Sequence, residues 1–438
     1  MRSLTTLSGG HGGLYASQSW LCFWIIHSLD LMGAASSIPP NTAQAAVKYL
    51  LSMQHAAGGF GGGPCQEPHI LATYAAVMAL LTLGARCGLM KEVMDGINRD
   101  NLRAFYERMK VREGFNKGGF HVQEDGEVDT RAVYCMTVVC AALQMDVSQL
   151  TADTGDFIAR CQTHEGGIGA EPGNEAHGGY AFCGLAACVL LRCPDKLDLD
   201  ALLRWMTARQ LIKEGGFSGR ANKLVDACYN YWVGAMFPVW HAARSMALKL
   251  HSARLHAARA KQAGKDATLS PLQLAAGVSA APSVQADAHL SVCACVMPVT
   301  SMGWLFDQRA LQMYTLLAGQ AAKPSFGVRD KPGKQPDLYH TCYGLSGLSC
   351  AQLSLAPPLA RESVLGDARE AEAAVDADAD ADADVVDVAR IDQFQELNPC
   401  VVGEPTNKLT ANNALFNITE QVLTSVIQYF REKQEAQK

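Results

Sequence analysis

Asp226, Cys228 and His340 bring together a carboxylate, a thiol and an imidazole. All three are good zinc ligands, and a three-ligand set leaves a fourth position open, as a catalytic metal requires. Asp-x-Cys alone is equally an N-cap followed by a small core residue; the place of His340 in a repeat, described below, strengthens the metal reading. A second group is cationic. His177 is joined by Arg220 and Lys223 of Gly219-Arg220-Ala221-Asn222-Lys223, with the Tyr229 hydroxyl following. A guanidinium offers phosphate oxygens a planar fork and an ammonium a point charge, so the set suits an anion such as a diphosphate. Two basic residues alone would be an ordinary solvated loop; their position just ahead of the metal candidates argues otherwise. The third group is aromatic: Trp20, Trp24, Tyr134, Tyr180, Trp232 and Tyr339. Most aromatics are core, but a cavity lined by these would suit a long apolar ligand. No Gly-x-x-x-x-Gly-Lys-Ser/Thr loop is present, which leaves ATP chemistry unsupported.

The elements that must position these residues repeat. A Gly-Gly-apolar turn recurs as Gly58-Gly59-Phe60, Gly118-Gly119-Phe120, Gly166-Gly167-Ile168 and Gly215-Gly216-Phe217, with a degenerate copy at Ser325-Phe326-Gly327. Each is followed by a polar stretch and then by a tyrosine that opens an Ala/Leu/Cys-rich run: Tyr74, Tyr134, Tyr180, Tyr229 and Tyr343. The apolar turn positions step by 60, 48, 49 and 109 residues. A period near 49 accommodates two helices and their connections. The runs after the tyrosines are apolar on most faces, which predicts helices buried on both sides. The expected class is all-α: an α-α barrel, or toroid, of helical hairpins with inner and outer rings. Aligned on the tyrosines, the position three residues earlier holds Leu71, Arg131, His177, Asp226 and His340, and the position one earlier includes Gly179 and Cys228. Equivalent positions would line one shared cavity.

Domain organisation follows from the same pattern. Residues 1–354 form the expected barrel, with an Ala-rich insertion at about 245–300 accounting for the long last step. Residues 355–395 are an acidic low-complexity insertion, including the Asp-Ala alternation Asp376–Asp384, and read as a solvated linker. Residues 396–438 are expected to pack back on the barrel.

The chain has 438 residues and a formal charge of −6, with a net −8 inside 361–392, so the remainder is close to neutral. With 49% hydrophobic and 18% charged residues it is neither disordered nor a basic nucleic-acid binder. The fifteen cysteines sit in apolar runs, which points to free thiols in a reducing cytoplasm. Residues 71–85, the most apolar run, are too short to span a bilayer and meet Arg86, so no stable membrane insertion is expected.

Four long stretches carry a resemblance: Gly58–Tyr74 (GGFGGGPCQEPHILATY), Cys161–Leu185 (CQTHEGGIGAEPGNEAHGGYAFCGL), Glu214–Trp232 (EGGFSGRANKLVDACYNYW) and Asp330–Gln352 (DKPGKQPDLYHTCYGLSGLSCAQ). They resemble the β-subunit family of protein farnesyltransferases, over Trp20–Gln352 apart from the first insertion, with a short tail at Leu415–Ile418. The resemblance implies an α-α barrel in a heterodimer with an α subunit. It implies that Asp226, Cys228 and His340 hold one zinc ion, whose open position takes the cysteine thiol of a C-terminal CaaX sequence. The metal would deprotonate that thiol, whose free pKa is about 8.5, for attack on C1 of farnesyl diphosphate. His177, Arg220, Lys223 and Tyr229 match diphosphate contacts. Asp330 matches a residue associated with Mg²⁺. Trp20, Trp24, Arg131, Tyr134, Gly179, Tyr180, Cys183, Trp232 and Tyr339 match positions of the substrate cavity. The bulky Trp20 and Tyr339 favour a 15-carbon over a 20-carbon donor; the alternative is a type I geranylgeranyltransferase β subunit. A terpene cyclase, which uses a related barrel, would need an acidic motif in the cavity wall, and the Asp-rich candidate lies in the linker. Family members carry more sequence before the first tryptophan motif than the nineteen residues here, which reads as a shortened or cleaved start.

Overall fold

The computed structural model describes residues 9–266, 305–322, 325–352 and 400–436. The chain divides into two compact units. One carries the described residues up to Ala243 and those from 305 onward; the other holds the distal part of the helix Met236–Asp266. Residues 245–266 of the expected Ala-rich insertion are thus helical, whereas 267–300, the acidic stretch 355–395 and Asp376–Asp384 lie outside the described residues.

The main unit is an α-α toroid. Its inner ring runs through Gln18–Leu31, Ile70–Cys87, Thr130–Ala142, Gly178–Leu190, the short Tyr229–Trp232 and Leu338–Gln352. Each packs on the next, and the last packs on the first. Helices covered on both sides are buried over most of their length: Ile70–Cys87 is buried continuously from Ala72 to Gly84. At 18 residues it is long and apolar enough to cross a membrane, in contrast to the shorter run expected from sequence, but 78% of it is buried inside the protein. The outer helices are amphipathic. Arg99–Met109 buries Leu102, Phe105, Tyr106 and Met109, an i, i+3, i+4, i+7 stripe.

The Gly-Gly turns join outer to inner helices. At Gly58, φ is +90° and an added Cβ would stand 1.8 Å from the Asn101 carbonyl oxygen, so only glycine fits. After each turn the apolar residue forms an isolated antiparallel bridge: Phe60 with Gln54, Phe120 with Lys110, Ile168 with Gln162, Phe217 with Gln210 and Val328 with Gln320. In the degenerate copy the equivalent residue is therefore Val328, two positions beyond the Phe326 that sequence alignment selects; Phe326 is exposed.

With this frame, the residue nine positions later leads into an inner helix in all five repeats, directly before it at His69, Asp129, His177 and Asp337 and three residues before Tyr229–Trp232 at Asp226. Each cap side chain accepts a backbone N–H, from Leu71 (3.1 Å), Arg131 (2.8 Å), Gly179 (3.1 Å), Cys228 (2.9 Å) and His340 (2.8 Å) respectively. The tyrosine alignment is thus out of register. Tyr74 and Tyr134 lie five residues after their caps, where the later repeats carry Phe182 and Tyr231, whereas Tyr180 and Tyr229 lie only three after theirs. Leu71 and Arg131 are equivalent to Gly179 and Cys228, and His340 is equivalent to Tyr180 and Tyr229. The tyrosine misleads because aromatics occur both three and five residues after the capping position, so a tyrosine alone does not fix the register.

A C-terminal hairpin, Asn412–Asn413 paired with Ile418–Thr419, sits against the inner ring. Tyr231, Tyr134 and Tyr74 donate their hydroxyls to the successive carbonyls of Ala414 (3.0 Å), Leu415 (2.9 Å) and Phe416 (3.2 Å). Thr419 donates to the buried Asp30 carboxylate, which also accepts from Arg86, both at 2.5 Å.

Candidate functional site

Asp226 and Cys228 sit at one helix start, the cap and two residues on. His340 comes from the neighbouring repeat, three residues after its own cap, and so meets them from the side. One ligand atom from each of the three lies within 4.8 Å of the others. The two roles of Asp226 coexist: one of its oxygens caps the Cys228 N–H and also faces His340 Nε2 at 3.3 Å.

Asp337 is the residue that sequence reasoning missed. Its Oδ2 lies 2.6 Å from His340 Nδ1 while Oδ1 caps the His340 N–H. The Asp-x-x-His spacing was a legible signal, obscured by the slipped register. With Nδ1–H donated to Asp337, Nε2 is left facing Asp226 and Cys228. Carboxylate support of this kind fixes the orientation of a metal-binding imidazole and raises its basicity. Burial lowers the His340 pKa, but the hydrogen bonds to Asp226 and Asp337 outweigh it and raise it to about 9. For Asp226 burial acts upward, and the hydrogen bonds from His340 and Cys228 bring the net shift below the usual carboxylate value. Burial and the neighbouring Asp226 push the Cys228 thiol up. Carboxylate, thiol and a supported imidazole around one point are a donor set that fits zinc.

The anion group adjoins this set. His177 Nδ1 accepts the Gly179 N–H, so its other nitrogen carries the ring proton and donates to the Tyr229 hydroxyl oxygen at 2.9 Å. The hydroxyl's own proton is then available to a ligand. Burial and then Arg220 lower the His177 pKa, which keeps the ring neutral. Arg220 pairs with Glu175 at 3.0 Å. Lys223 is exposed in the same loop and makes no ion pair among the described residues. Tyr229 lies flat on Gly219, where a Cβ would approach its Cζ to 2.0 Å. Asp330 approaches through its backbone, its carbonyl accepting from the Ala227 N–H (2.9 Å) and the Tyr314 hydroxyl (3.1 Å), while its carboxylate pairs with Lys331.

The aromatic residues close into a ring. Trp20 contacts Trp24 and Tyr74 (both 5.8 Å between centroids), and the chain continues through Tyr134, Phe182, Tyr231, Tyr343 and Tyr339 back to Trp24. Trp232 packs on Tyr343 at 4.5 Å and donates its Nε1–H to the Tyr339 hydroxyl at 3.0 Å. Arg131 pairs with Asp129 and lies over the Tyr180 ring at 5.4 Å. Cys183 is buried one turn beyond Tyr180. Tyr74, Phe182, Tyr231 and Tyr343 are members of this ring that the sequence reading did not nominate.

Residues 1–418 match the family described as the prenyltransferase alpha-alpha toroid domain. The chain is 41% identical over 350 residues to the protein farnesyltransferase subunit beta of Pisum sativum, covering 76% of this chain and 78% of that one. To the protein farnesyltransferase subunit beta of Arabidopsis thaliana it is 39% identical over 380 residues, covering 84% and 75%. A solved structure of Candida albicans protein geranylgeranyltransferase-I complexed with GGPP superposes with a TM-score of 0.61 over 97% of this chain and 96% of that one, at 17% identity, a likeness of fold.

Proposed function

The chain belongs to the prenyltransferase alpha-alpha toroid family, alongside protein farnesyltransferase β subunits, and we propose that it is the catalytic β subunit of a heterodimeric, zinc-dependent protein farnesyltransferase. It transfers farnesyl from farnesyl diphosphate to the cysteine thiol of CaaX-ending proteins in the cytoplasm, with an α subunit as partner. The observation that carries this reading is the convergence of Asp226, Cys228 and His340 within 4.8 Å, beside the His177–Tyr229 pair.

Asp226, Cys228 and His340 would hold the zinc, which when bound favours the thiolate form of the acceptor cysteine. This chain's side chains do the rest. Asp337 holds His340 in place through Nδ1. The aromatic ring from Trp20 to Tyr339 receives the isoprenoid and keeps water from C1, with Trp20 limiting its length. Tyr229, oriented by His177, donates its free proton to the diphosphate, and Arg220 and Lys223 add positive charge. As the thiolate sulfur bonds to C1, the C1–O bond breaks and its electrons leave with the diphosphate, where these donors stabilise the growing charge. Asp330 would take Mg²⁺ near that leaving group.

Co-expression with an α subunit, metal analysis and a two-donor prenylation assay test the proposal. About one zinc per heterodimer and preference for the 15-carbon donor are expected, and Cys228→Ala should lose metal and turnover together. Turnover surviving in that variant refutes the mechanism; preference for the 20-carbon donor transfers the chain to the geranylgeranyl type I reading.

A further inference from the structure

The helix Gly178–Leu190, whose first residues serve the candidate site, ends in a Schellman motif. The Cys193 N–H donates to the Cys188 carbonyl at 2.9 Å, the Arg192 N–H donates to the Val189 carbonyl at 3.1 Å, and Arg192 takes φ of +55°. This motif brings its first and last side chains into contact, normally as an apolar pair. Here both are cysteines. The backbone hydrogen bond between the same two residues limits their Cα separation to about 6.8 Å even at full stretch, inside the range of disulfides, about 4.4–6.8 Å.

The surroundings fit reactive rather than merely packed thiols. Cys188 is fully buried and Cys193 is partly exposed, so one is reachable and the other waits behind it. A Cβ on Gly155 would stand 2.8 Å from both Cys193 Sγ and Lys196 Cδ, so the sulfur and the lysine stem share a notch that glycine provides. Lys196 also pairs with Asp156. The hydrogen bond from Cys188 lowers the Cys193 thiol pKa; burial opposes this, and the Lys196 charge adds to the lowering. The same hydrogen bond and burial push Cys188 up.

We propose that Cys188 and Cys193 form a redox pair that a peroxide closes to a disulfide, a modification site separate from the prenyl-transfer chemistry. The Cys193 thiolate attacks one oxygen of hydrogen peroxide; the S–O bond forms, the O–O bond breaks, and hydroxide leaves as water after taking up a proton. The Cys188 sulfur then attacks the Cys193 sulfenic acid. The S–S bond forms, the S–O bond breaks, and a second water leaves with the Cys188 proton. Two thiols and one peroxide yield one disulfide and two waters. The exposed thiolate is the nucleophile and the buried thiol resolves it, the usual division in redox-sensing pairs.

Trypsin cleaves after Arg160, Arg192 and Lys196 and thus separates the two cysteines. The full-length protein, treated with mild peroxide, alkylated and digested without reductant, should yield peptide 161–192 joined to peptide 193–196, with fragmentation placing the link at Cys188. Dithiothreitol should release it. Cys188→Ser should leave a Cys193 sulfenic acid that dimedone traps, Cys193→Ser should leave neither product, and Lys196→Gln should close the link several-fold more slowly. The wild-type peptide map stands even if a serine variant fails to fold. Recovery of 193–196 unlinked and alkylated, as a sulfinic acid, or joined to Cys161, Cys183 or another cysteine overturns the proposal.

Discussion

His340 reaches its partners with one ring nitrogen because Asp337 holds the other at 2.6 Å. Support of this kind is worth about 10–100-fold in metal affinity or activity. Asp337→Asn, which keeps the shape and loses the charge, is therefore expected to weaken zinc retention by about that factor, measured by chelator competition on the purified heterodimer; an unchanged zinc affinity would remove Asp337 from the site. Trp20 plays its part by volume. It stacks on Trp24 at 5.8 Å and abuts Tyr74. A pocket discriminates by about 1–3 kcal/mol per methylene, or tenfold and more. Trp20→Ala should thus raise use of the 20-carbon donor relative to the 15-carbon donor by about tenfold or more in the two-donor assay. Both effects belong to single side chains, and the trio, the basic loop and Trp20 were all legible by residue type. Asp337 carried a signal too, three residues before His340, but an acid there reads first as an ordinary cap and the slipped register hid its second role.

The elements place these side chains by a repeated device. A glycine turn, an apolar bridge residue and a capping side chain nine positions later recur five times, ahead of every inner helix but the first. The turn in the fourth repeat also supports Tyr229, which rests on Gly219 with no room for a Cβ. Gly219→Ala is expected to lift Tyr229 away from His177 and weaken binding of farnesyl diphosphate by about 1–3 kcal/mol, comparable to losing a buried polar contact. Isothermal titration would show this against Tyr229→Phe, which removes the same hydroxyl without touching the turn. Equal affinity in wild type and Gly219→Ala would mean that the glycine serves the turn alone. The period near 49 residues was legible at this scale because each turn needs glycine for backbone reasons. The register within a repeat was not: tyrosines occur both three and five residues after the capping position, and only the bridge hydrogen bonds distinguish the two.

Closure of the ring belongs to the whole molecule. His27 on the first inner helix meets Ser346 on the last, Nε2 to Oγ at 3.2 Å, while Ser346 donates its own proton to the Cys342 carbonyl. His27 is fully buried, and desolvation lowers its pKa from 6.5 to about 3, against a smaller upward pull from Asn417. Below pH 6.5 the unfolded chain therefore takes up a proton that the folded protein refuses. Stability is intact above that pH and falls by about 1.4 kcal/mol per unit as pH drops from 6.5 toward 3. At pH 5 the loss is about 2 kcal/mol, and His27→Gln should flatten this limb in denaturant unfolding followed across pH 7 to 5. Parallel limbs in variant and wild type would contradict it.

By itself the sequence determined the helical class, the glycine-spaced repeat and the chemical types of the site, because glycine turns, apolar faces and ligand side chains are local properties. Tertiary structure alone decided that His340 enters from a neighbouring repeat rather than from an equivalent place. It also decided that three tyrosine hydroxyls hold consecutive carbonyls of the C-terminal hairpin. Those contacts join residues up to 342 positions apart, and no local pattern encodes such a meeting: it exists only once the ring has closed and the apolar faces have fixed how each helix is turned.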